Sequence, residues 1–138
     1  MHEAEGSIIA EVAEVSAVQG RIRVHAVTVA VDCGLAVNPL GVDAQVQGSV
    51  VYGLSALLGG KLTLEAGRVL ESNFHDYPVL RMSETPTISV HLIPSDAPMG
   101  GIGEPATALI GPAVANAVFA LTGQRLRTLP LRLAQTAG

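Results

Sequence analysis

The hydrophobic and polar positions near the start of the chain predict a β-hairpin. Residues 7–15 are mainly apolar, and after Gln19-Gly20 residues 21–25 alternate strictly between polar and apolar side chains. That alternation is the period of a strand with one wet face. It stops at residues 26–31, which are apolar or small on both faces. We therefore expect this strand to continue into a sheet that is covered on both sides.

Capping signals and apolar spacing predict two helices. Asn38-Pro39 is a typical helix start, because Asn can cap free amides and Pro fits the first helical position. This helix is expected to run to Leu58 and to end at Gly59-Gly60. Its second face, mostly of small residues that a backbone or ligand could approach, comprises Gln45, Gly48, Ser49, Tyr52, Gly53 and Ala56. Gly111-Pro112 is expected to open the second helix, which Gly123 closes.

The remaining segments complete an α+β pattern. Residues 61–64 and 68–70 predict a short hairpin, and residues 87–93 alternate as a further strand. Between them lies a polar and aromatic loop at residues 72–78. We expect residues 1–138 to form one two-layer α+β domain, with a mixed or antiparallel sheet and two main helices.

Composition narrows the possible partners. Hydrophobic residues make up 49% of the chain and charged residues 14%, with a mean hydropathy of +0.44, so we expect apolar surface to be covered by a partner or a second copy. A net charge of -4 and 3% aromatic residues argue against a nucleic-acid surface. No membrane span is expected, because polar residues interrupt every long apolar run.

Cysteine usage and the first residues say little about the compartment. The single cysteine, Cys33, excludes an internal disulfide and an iron-sulfur cluster held by this chain alone. The first five residues carry acid where a secretory signal would carry base, so no targeting segment is expected. The location stays open between cytoplasm and periplasm.

One carboxylate lies on a glycine loop at the entrance to an apolar run. The loop is Gly100-Gly101-Ile102-Gly103-Glu104-Pro105, and the run extends over residues 106–122. The pattern alone favours a helix-start charge for Glu104, worth about 0.3–1 kcal/mol. The alternative is a general base, which requires a carboxylate partly shielded from water. Both interpretations remain open at this point.

Other polar residues have simple structural interpretations. Gln45 could offer an amide to a ligand, although composition alone favours a buried helix amide that is satisfied by the backbone. Cys33 is better explained as a small buried residue than as a nucleophile. His75 and Asp76 could make an acid-base pair, but neighbours point apart in extended chain, which favours a surface hydrogen-bonding role. The four histidines lack metal-ligand spacing, so no metal site is predicted.

Four segments in order resemble the C-terminal part of the molybdenum-binding large subunit of the xanthine dehydrogenase and aldehyde oxidase family. They are residues 29–39, 44–48 with 52–55, 72–78 with 80–82, and 101–105 with Asn116-Ala117 and Thr122-Gly123. The isoquinoline 1-oxidoreductase β-subunit branch is the most similar. Together the segments cover the chain from about Ser7 to Leu131.

The resemblance implies an oxidoreductase with a molybdopterin-binding fold. Such enzymes hydroxylate N-heterocycles or aldehydes with water as oxygen source, using molybdenum held by a pterin, here in its cytosine dinucleotide form. By position, Glu104 matches the general base of the family and Gln45 matches a glutamine beside the pterin. Gly103 lies where the backbone comes close to the metal. This interpretation reverses the preference for a plain helix-start charge.

The family's large subunits are several times longer than this chain. The resemblance therefore implies the C-terminal portion of a molybdopterin-binding domain, which needs the remaining portion of the large subunit and a small subunit carrying 2Fe-2S clusters. The substrate would be a small molecule, and the chain is not expected to be active alone. The rival interpretation is a truncated remnant or an assembly module that keeps the fold without catalysis.

Overall fold

The computed structural model describes residues 1–134 as a four-stranded sheet, a small hairpin and two helices; residues 135–138 of the predicted domain lie outside the described residues. The elements in chain order are β1 (His2–Ala4), β2 (Ser7–Val18), β3 (Arg21–Asp32), α1 (Pro39–Gly59), β4 (Leu64–Glu65), β5 (Arg68–Val69), β6 (Thr87–Leu92) and α2 (Pro105–Thr122). This arrangement confirms the predicted α+β class.

The main sheet is mixed and has the strand order β1-β2-β3-β6. Neighbouring strands β1, β2 and β3 are antiparallel, whereas β6 pairs with β3 in parallel. Gln19 and Gly20 form the turn between β2 and β3 with φ of 51° and 76°, which suits the twist of a two-residue hairpin. The predicted hairpin is confirmed and is longer than expected.

The helices cover one face of this sheet. Alternate residues of β2 and β3 are buried beneath them, among them Ile9 and Val29, and the core continues into α1 and α2 through Leu54 and Ile110. Thr28 on the opposite face is exposed, and Val12 is 68% exposed. The expectation of cover on both sides is therefore wrong for this chain, because the apolar run in β3 has only one packed face.

Helix α1 begins and ends close to the predicted residues. The side chain of Asn38 accepts a hydrogen bond from the amide of Gly41 at 3.1 Å, and Pro39 occupies the first turn, as the capping pattern predicts. At the other end, the Gly60 amide donates to the carbonyls of Ser55 and Ala56. Both ends of the helix are therefore specified locally.

Helix α2 begins at Pro105, so the predicted start at Gly111-Pro112 is wrong. Residues Ala106, Ile110, Val114 and Val118 are fully buried at four-residue spacing, and this stripe continues across Pro112. A proline at the first helical position is favourable, whereas one inside a helix removes a hydrogen bond. Burial of the continuous apolar stripe outweighs that loss.

Among the described residues, α2 is also the one helix that is long and apolar enough to cross a membrane, with a mean hydropathy of 1.4 over 18 residues. Sequence inspection did not anticipate this. The helix packs on β2 and on α1, and its buried stripe forms the centre of the core. A core helix meets the same criterion of length and composition.

The predicted small hairpin is confirmed but is reduced to two residues in each strand. Leu64 pairs with Val69, and Glu65 pairs with Arg68. Ala66 and Gly67 form the turn with φ of 48° and 77°. The hairpin is exposed and contributes no wall to the site described next.

Candidate functional site

A groove with a volume of about 890 Å³ lies between α1 and the loop that precedes α2. It contains all three residues singled out for the site, Gln45 from α1 and the consecutive residues Gly103 and Glu104, which lie far from Gln45 in sequence. The full lining comprises Gly41, Ala44, Gln45, Gly48, Ser49, Tyr52, Gly103, Glu104, Thr107 and Ala108. The structure therefore brings the predicted residues together in one open groove.

The side chains that α1 contributes to the groove are mostly small, so the helix backbone lies close to the groove. Gly41, Ala44 and Gly48 follow one another at helical spacing on one side of the helix. A Cβ placed on Gly48 would meet no atom within 4 Å, and the same is true of Gly103 on the opposite wall. Bare backbone is thus accessible on both sides of the groove.

Glu104 occupies the N-cap position just before α2, but its side chain does not cap the helix. Its carbonyl accepts a hydrogen bond from the Thr107 amide at 2.9 Å, whereas its carboxylate makes no capping hydrogen bond to the helix. The residue is exposed in this chain. The partial shielding that a general base requires is therefore not provided by the described residues.

Gln45 is exposed on the groove side of α1. The alternative of a buried helix amide is wrong, because the apolar face of the helix turns toward the core and leaves Gln45 on the other side. An exposed side-chain amide offers both donors and an acceptor to a ligand.

The loop carrying Glu104 is attached by backbone hydrogen bonds to the residue that follows β3 and to the turn between β1 and β2. The Gly100 amide donates to the carbonyl of Cys33 at 3.0 Å, and the Gly101 amide donates to the carbonyl of Glu5 at 2.8 Å. A Cβ on Gly100 would lie 2.7 Å from the backbone carbonyl of Gly6. Gly100 is therefore needed for close packing, whereas Gly103 leaves space in the groove.

Sequence inspection missed residues that support the loop. Ser49 donates a hydrogen bond from Oγ to the carbonyl of Gly103 at 2.6 Å, and Thr107 donates from Oγ1 to the carbonyl of Ser49 at 3.2 Å. Ser7 contacts the same loop from β2. In the sequence, Ser7 could have been singled out because it is a polar residue in an otherwise apolar segment.

The other candidates lie away from the groove. Cys33 is buried, with 5% of its surface exposed, as expected for a small core residue. His75 and Asp76 approach each other to 3.0 Å on the surface, so the expectation that these neighbours point apart is wrong. Within residues 1–134, no cluster of His, Cys, Asp and Glu could hold a metal ion.

Comparison with known proteins supports the resemblance. Residues 4–86 match the family model described as molybdopterin cofactor-binding domain. This range includes Gln45 but not Gly103 or Glu104. The chain is 43% identical over 114 residues to isoquinoline 1-oxidoreductase subunit beta of Brevundimonas diminuta, covering 83% of this chain and 15% of that protein.

Two further relatives extend the comparison. The chain is 36% identical over 113 residues to a membrane-bound aldehyde dehydrogenase (pyrroloquinoline-quinone) of Gluconacetobacter polyoxogenes, covering 82% of this chain and 15% of that protein. The fold is similar to that of quinoline 2-oxidoreductase from Pseudomonas putida 86, with a TM-score of 0.71 and 24% identity, covering 79% of this chain and 15% of the other. The chain thus spans about 15% of the length of each relative.

The groove is suited to an organic cofactor. Its lining offers an amide, hydroxyl groups, one carboxylate and accessible backbone, and two of its glycines leave open the space that a side chain would fill. A planar or extended ligand can therefore lie against the backbone while polar groups fix its orientation. The residues present fit a pterin cofactor.

Proposed function

This chain belongs to the molybdopterin cofactor-binding domain family of the xanthine dehydrogenase type, and from that premise we propose that it forms the C-terminal cofactor-binding portion of a molybdenum hydroxylase. The enzyme would oxidise an N-heterocycle or an aldehyde with water as oxygen source. The proposed cofactor is molybdenum with molybdopterin cytosine dinucleotide. The proposed partners are the remaining portion of the large subunit and a small subunit with 2Fe-2S clusters.

The observation that carries the proposal is the meeting of Gln45, Gly103 and Glu104 in one groove. The first comes from the second turn of α1, and the other two come from the loop before α2. Nothing in the sequence spacing requires Gln45 to meet the consecutive residues Gly103 and Glu104, so their assembly supports a shared ligand. The family assignment indicates which ligand to test.

Each of the three residues has a role that its position allows. When bound, the molybdenum-pterin group supplies the two-electron redox chemistry and activates the oxygen derived from water. Gln45 binds the organic part of the group through its side-chain amide. Gly103 permits close approach because it has no Cβ. The carboxylate of Glu104 would act as the general base that accepts a proton during the reaction and later releases it to solvent.

The exposure of Glu104 defines what the partner must provide. A general base works best where water is excluded and its carboxylate is held close to the reacting group. In this chain the groove is open on the side of Glu104. We propose that the remaining portion of the large subunit closes the groove and supplies most of the substrate pocket.

The test is to co-express this chain with the remaining large-subunit portion and the iron-sulfur subunit. Molybdenum per chain is measured first, and then the turnover of an N-heterocycle and of an aldehyde. Glu104→Gln should lower kcat by about 10²–10⁴-fold, the usual contribution of a general base, while molybdenum content stays unchanged. Glu65→Gln, at an exposed carboxylate in the β4–β5 hairpin, is the matched control and should leave kcat unchanged.

Two outcomes would contradict the proposal. If the wild-type assembly binds molybdenum but turns over no faster than the Glu104→Gln variant, Glu104 is not the base. If the complete assembly binds no molybdenum, the chain is the non-catalytic module of the rival interpretation.

A further inference from the structure

We propose that Ser7 and Ser49 are positioning residues that clamp the glycine loop and thereby fix the carboxylate of Glu104. They are the two buried polar residues of the described core, with 0% and 5% of their surface exposed. Each hydroxyl donates a hydrogen bond to a carbonyl of the loop, Ser7 to Gly101 at 2.7 Å and Ser49 to Gly103 at 2.6 Å. The catalytic consequence rests on the proposed function.

The Ser49 side of the clamp holds the backbone on both sides of Glu104. Its Oγ binds the carbonyl of Gly103, the residue just before Glu104. Its own carbonyl accepts a hydrogen bond from Oγ1 of Thr107, in the first turn of α2. The Thr107 amide also donates to the carbonyl of Glu104. One residue of α1 thus connects to the chain before and after the carboxylate.

The Ser7 side fixes the beginning of the loop. Ser7 Oγ binds the Gly101 carbonyl, while the Gly101 amide donates to the carbonyl of Glu5. Gly101 is therefore held through both its amide and its carbonyl. A Cβ on Gly100 would collide with Ser7 Oγ and with the backbone of Gly6. This part of the loop cannot move without breaking contacts to β2 and the turn before it.

The burial of two hydroxyls is informative because it is otherwise unfavourable. A buried hydroxyl loses its water and needs a protein partner to compensate. Alanine at either position would avoid this desolvation cost. Both serines instead direct their hydrogen bonds to the loop beside Glu104, which gives the loop two fixed attachment points and leaves Gly103 open toward the groove.

Ser55 provides a matched control on the same helix. Its Oγ donates to the carbonyl of Val51 at 2.9 Å and accepts from the Leu80 amide at 3.1 Å. It therefore supports another loop and does not contact residues 100–104. Ser55→Ala removes the same hydroxyl group from α1 as Ser49→Ala does, but it leaves the clamp intact.

The first test measures loop order in the full chain by NMR relaxation of backbone amides. In the wild type, the amides of Gly101, Gly103 and Glu104 should have order parameters near the rigid value of about 0.85. Ser49→Ala should lower those of Gly103 and Glu104 below about 0.6, and Ser7→Ala should do the same at Gly101. Ser55→Ala should change none of them.

The wild-type measurement makes the proposal testable even if a variant fails to fold. Low order at Gly101 and Gly103 in the wild type, comparable with that of the exposed turn residue Gly67, would overturn the clamp. Unchanged order in correctly folded Ser7→Ala and Ser49→Ala variants would also overturn it. Far-UV circular dichroism checks that each variant retains its helices.

The second test separates positioning from general support of the fold. In the assembled enzyme, Ser49→Ala should lower kcat by about 10- to 100-fold with KM and molybdenum content unchanged, because a displaced base reacts poorly without altering substrate binding. Ser55→Ala should leave kcat unchanged. A rise in KM with unchanged kcat would contradict positioning.

The two proposals fail in different ways. If Glu104→Gln leaves turnover unchanged, the proposed base is wrong, whereas the NMR result still decides whether the clamp exists. If Glu104→Gln lowers kcat but Ser49→Ala alters neither loop order nor kcat, the base stands and the clamp is wrong.

Discussion

Gly48 and Gly53 lie on the same helix but have opposite environments. A Cβ on Gly53 would lie 2.5 Å from Cγ2 of Ile110 and 2.9 Å from the carbonyl oxygen of Thr107. A Cβ on Gly48 would have no neighbour within 4 Å. Gly53 therefore allows α1 and α2 to pack closely, whereas Gly48 leaves space in the groove.

Two glutamates differ in the same way: one lies on the packed side of the fold and the other lies in the groove. Glu11 lies between the buried residues Ile9 and Ala13 on the helix-covered face of β2, and neither of its carboxylate oxygens is exposed or hydrogen-bonded. Glu104 is exposed in the groove. Residue type alone therefore does not show whether a position stabilises the fold or contributes to the site. Changes on the packed side should alter stability, and changes on the groove side should alter binding.

The largest stability effect is expected at Gly53. Gly53→Ala should lower the free energy of unfolding by about 1–3 kcal/mol, because the new methyl group collides with Ile110 and with the backbone of α2. This loss exceeds the gain in helix propensity from replacing glycine by alanine. Urea denaturation of the full chain measures the change. Equal or greater stability of the variant would show that the helices can separate at no cost.

The sequence could predict the small-residue face of α1 but not its division into two sides. Gly48 and Gly53 belong to the same predicted face, and only the path of α2 across α1 separates them. That path depends on contacts distant in sequence, such as the contact of Gly53 with Ile110. Capping and alternation are local, which explains why the start of α1 and the β2–β3 hairpin were predicted correctly.

The incorrect predictions from the sequence also have their origin in contacts between distant residues. Pro112 is a local signal for a helix start, but burial of the longer apolar stripe places that start at Pro105. The meeting of Gln45 with Gly103 and Glu104 was expected from family resemblance alone, because no spacing rule relates Gln45 to those two consecutive residues. Glu11 gave no usable signal, since a carboxylate in an alternating strand is normally assigned to the wet face.

The next effect concerns the pH dependence of stability. Burial raises the pKa of Glu11 from 4.5 to about 8, and the positive charge of the N-terminus opposes this only in part. Between these pH values the folded state binds more protons than the unfolded state, so stability falls as pH rises. The contribution is fully present below pH 4.5 and is lost by about pH 8.

Comparison of the wild type with Glu11→Gln isolates this effect from histidine titration. Between pH 5 and 8 the wild type should lose about 1 kcal/mol more stability than the variant, a value reduced from the full shift because Glu11 as a whole is only partly buried. Chemical denaturation at several pH values measures the difference. Parallel pH profiles for the two proteins would show that Glu11 is not shielded in solution.

The smallest stability effect is expected at Gly48, where it should have the opposite sign to that at Gly53. Gly48→Ala should raise the free energy of unfolding by about 0.5–1 kcal/mol, because alanine restricts the unfolded chain and meets no neighbour in the folded one. In the assembled enzyme the added methyl should weaken cofactor binding about tenfold, because it occupies space that a ligand needs. Urea denaturation and molybdenum content at limiting cofactor measure the two effects. If stability rises while molybdenum content stays at the wild-type level, the cofactor does not approach α1 at Gly48. The groove side of this helix would then not be a binding surface.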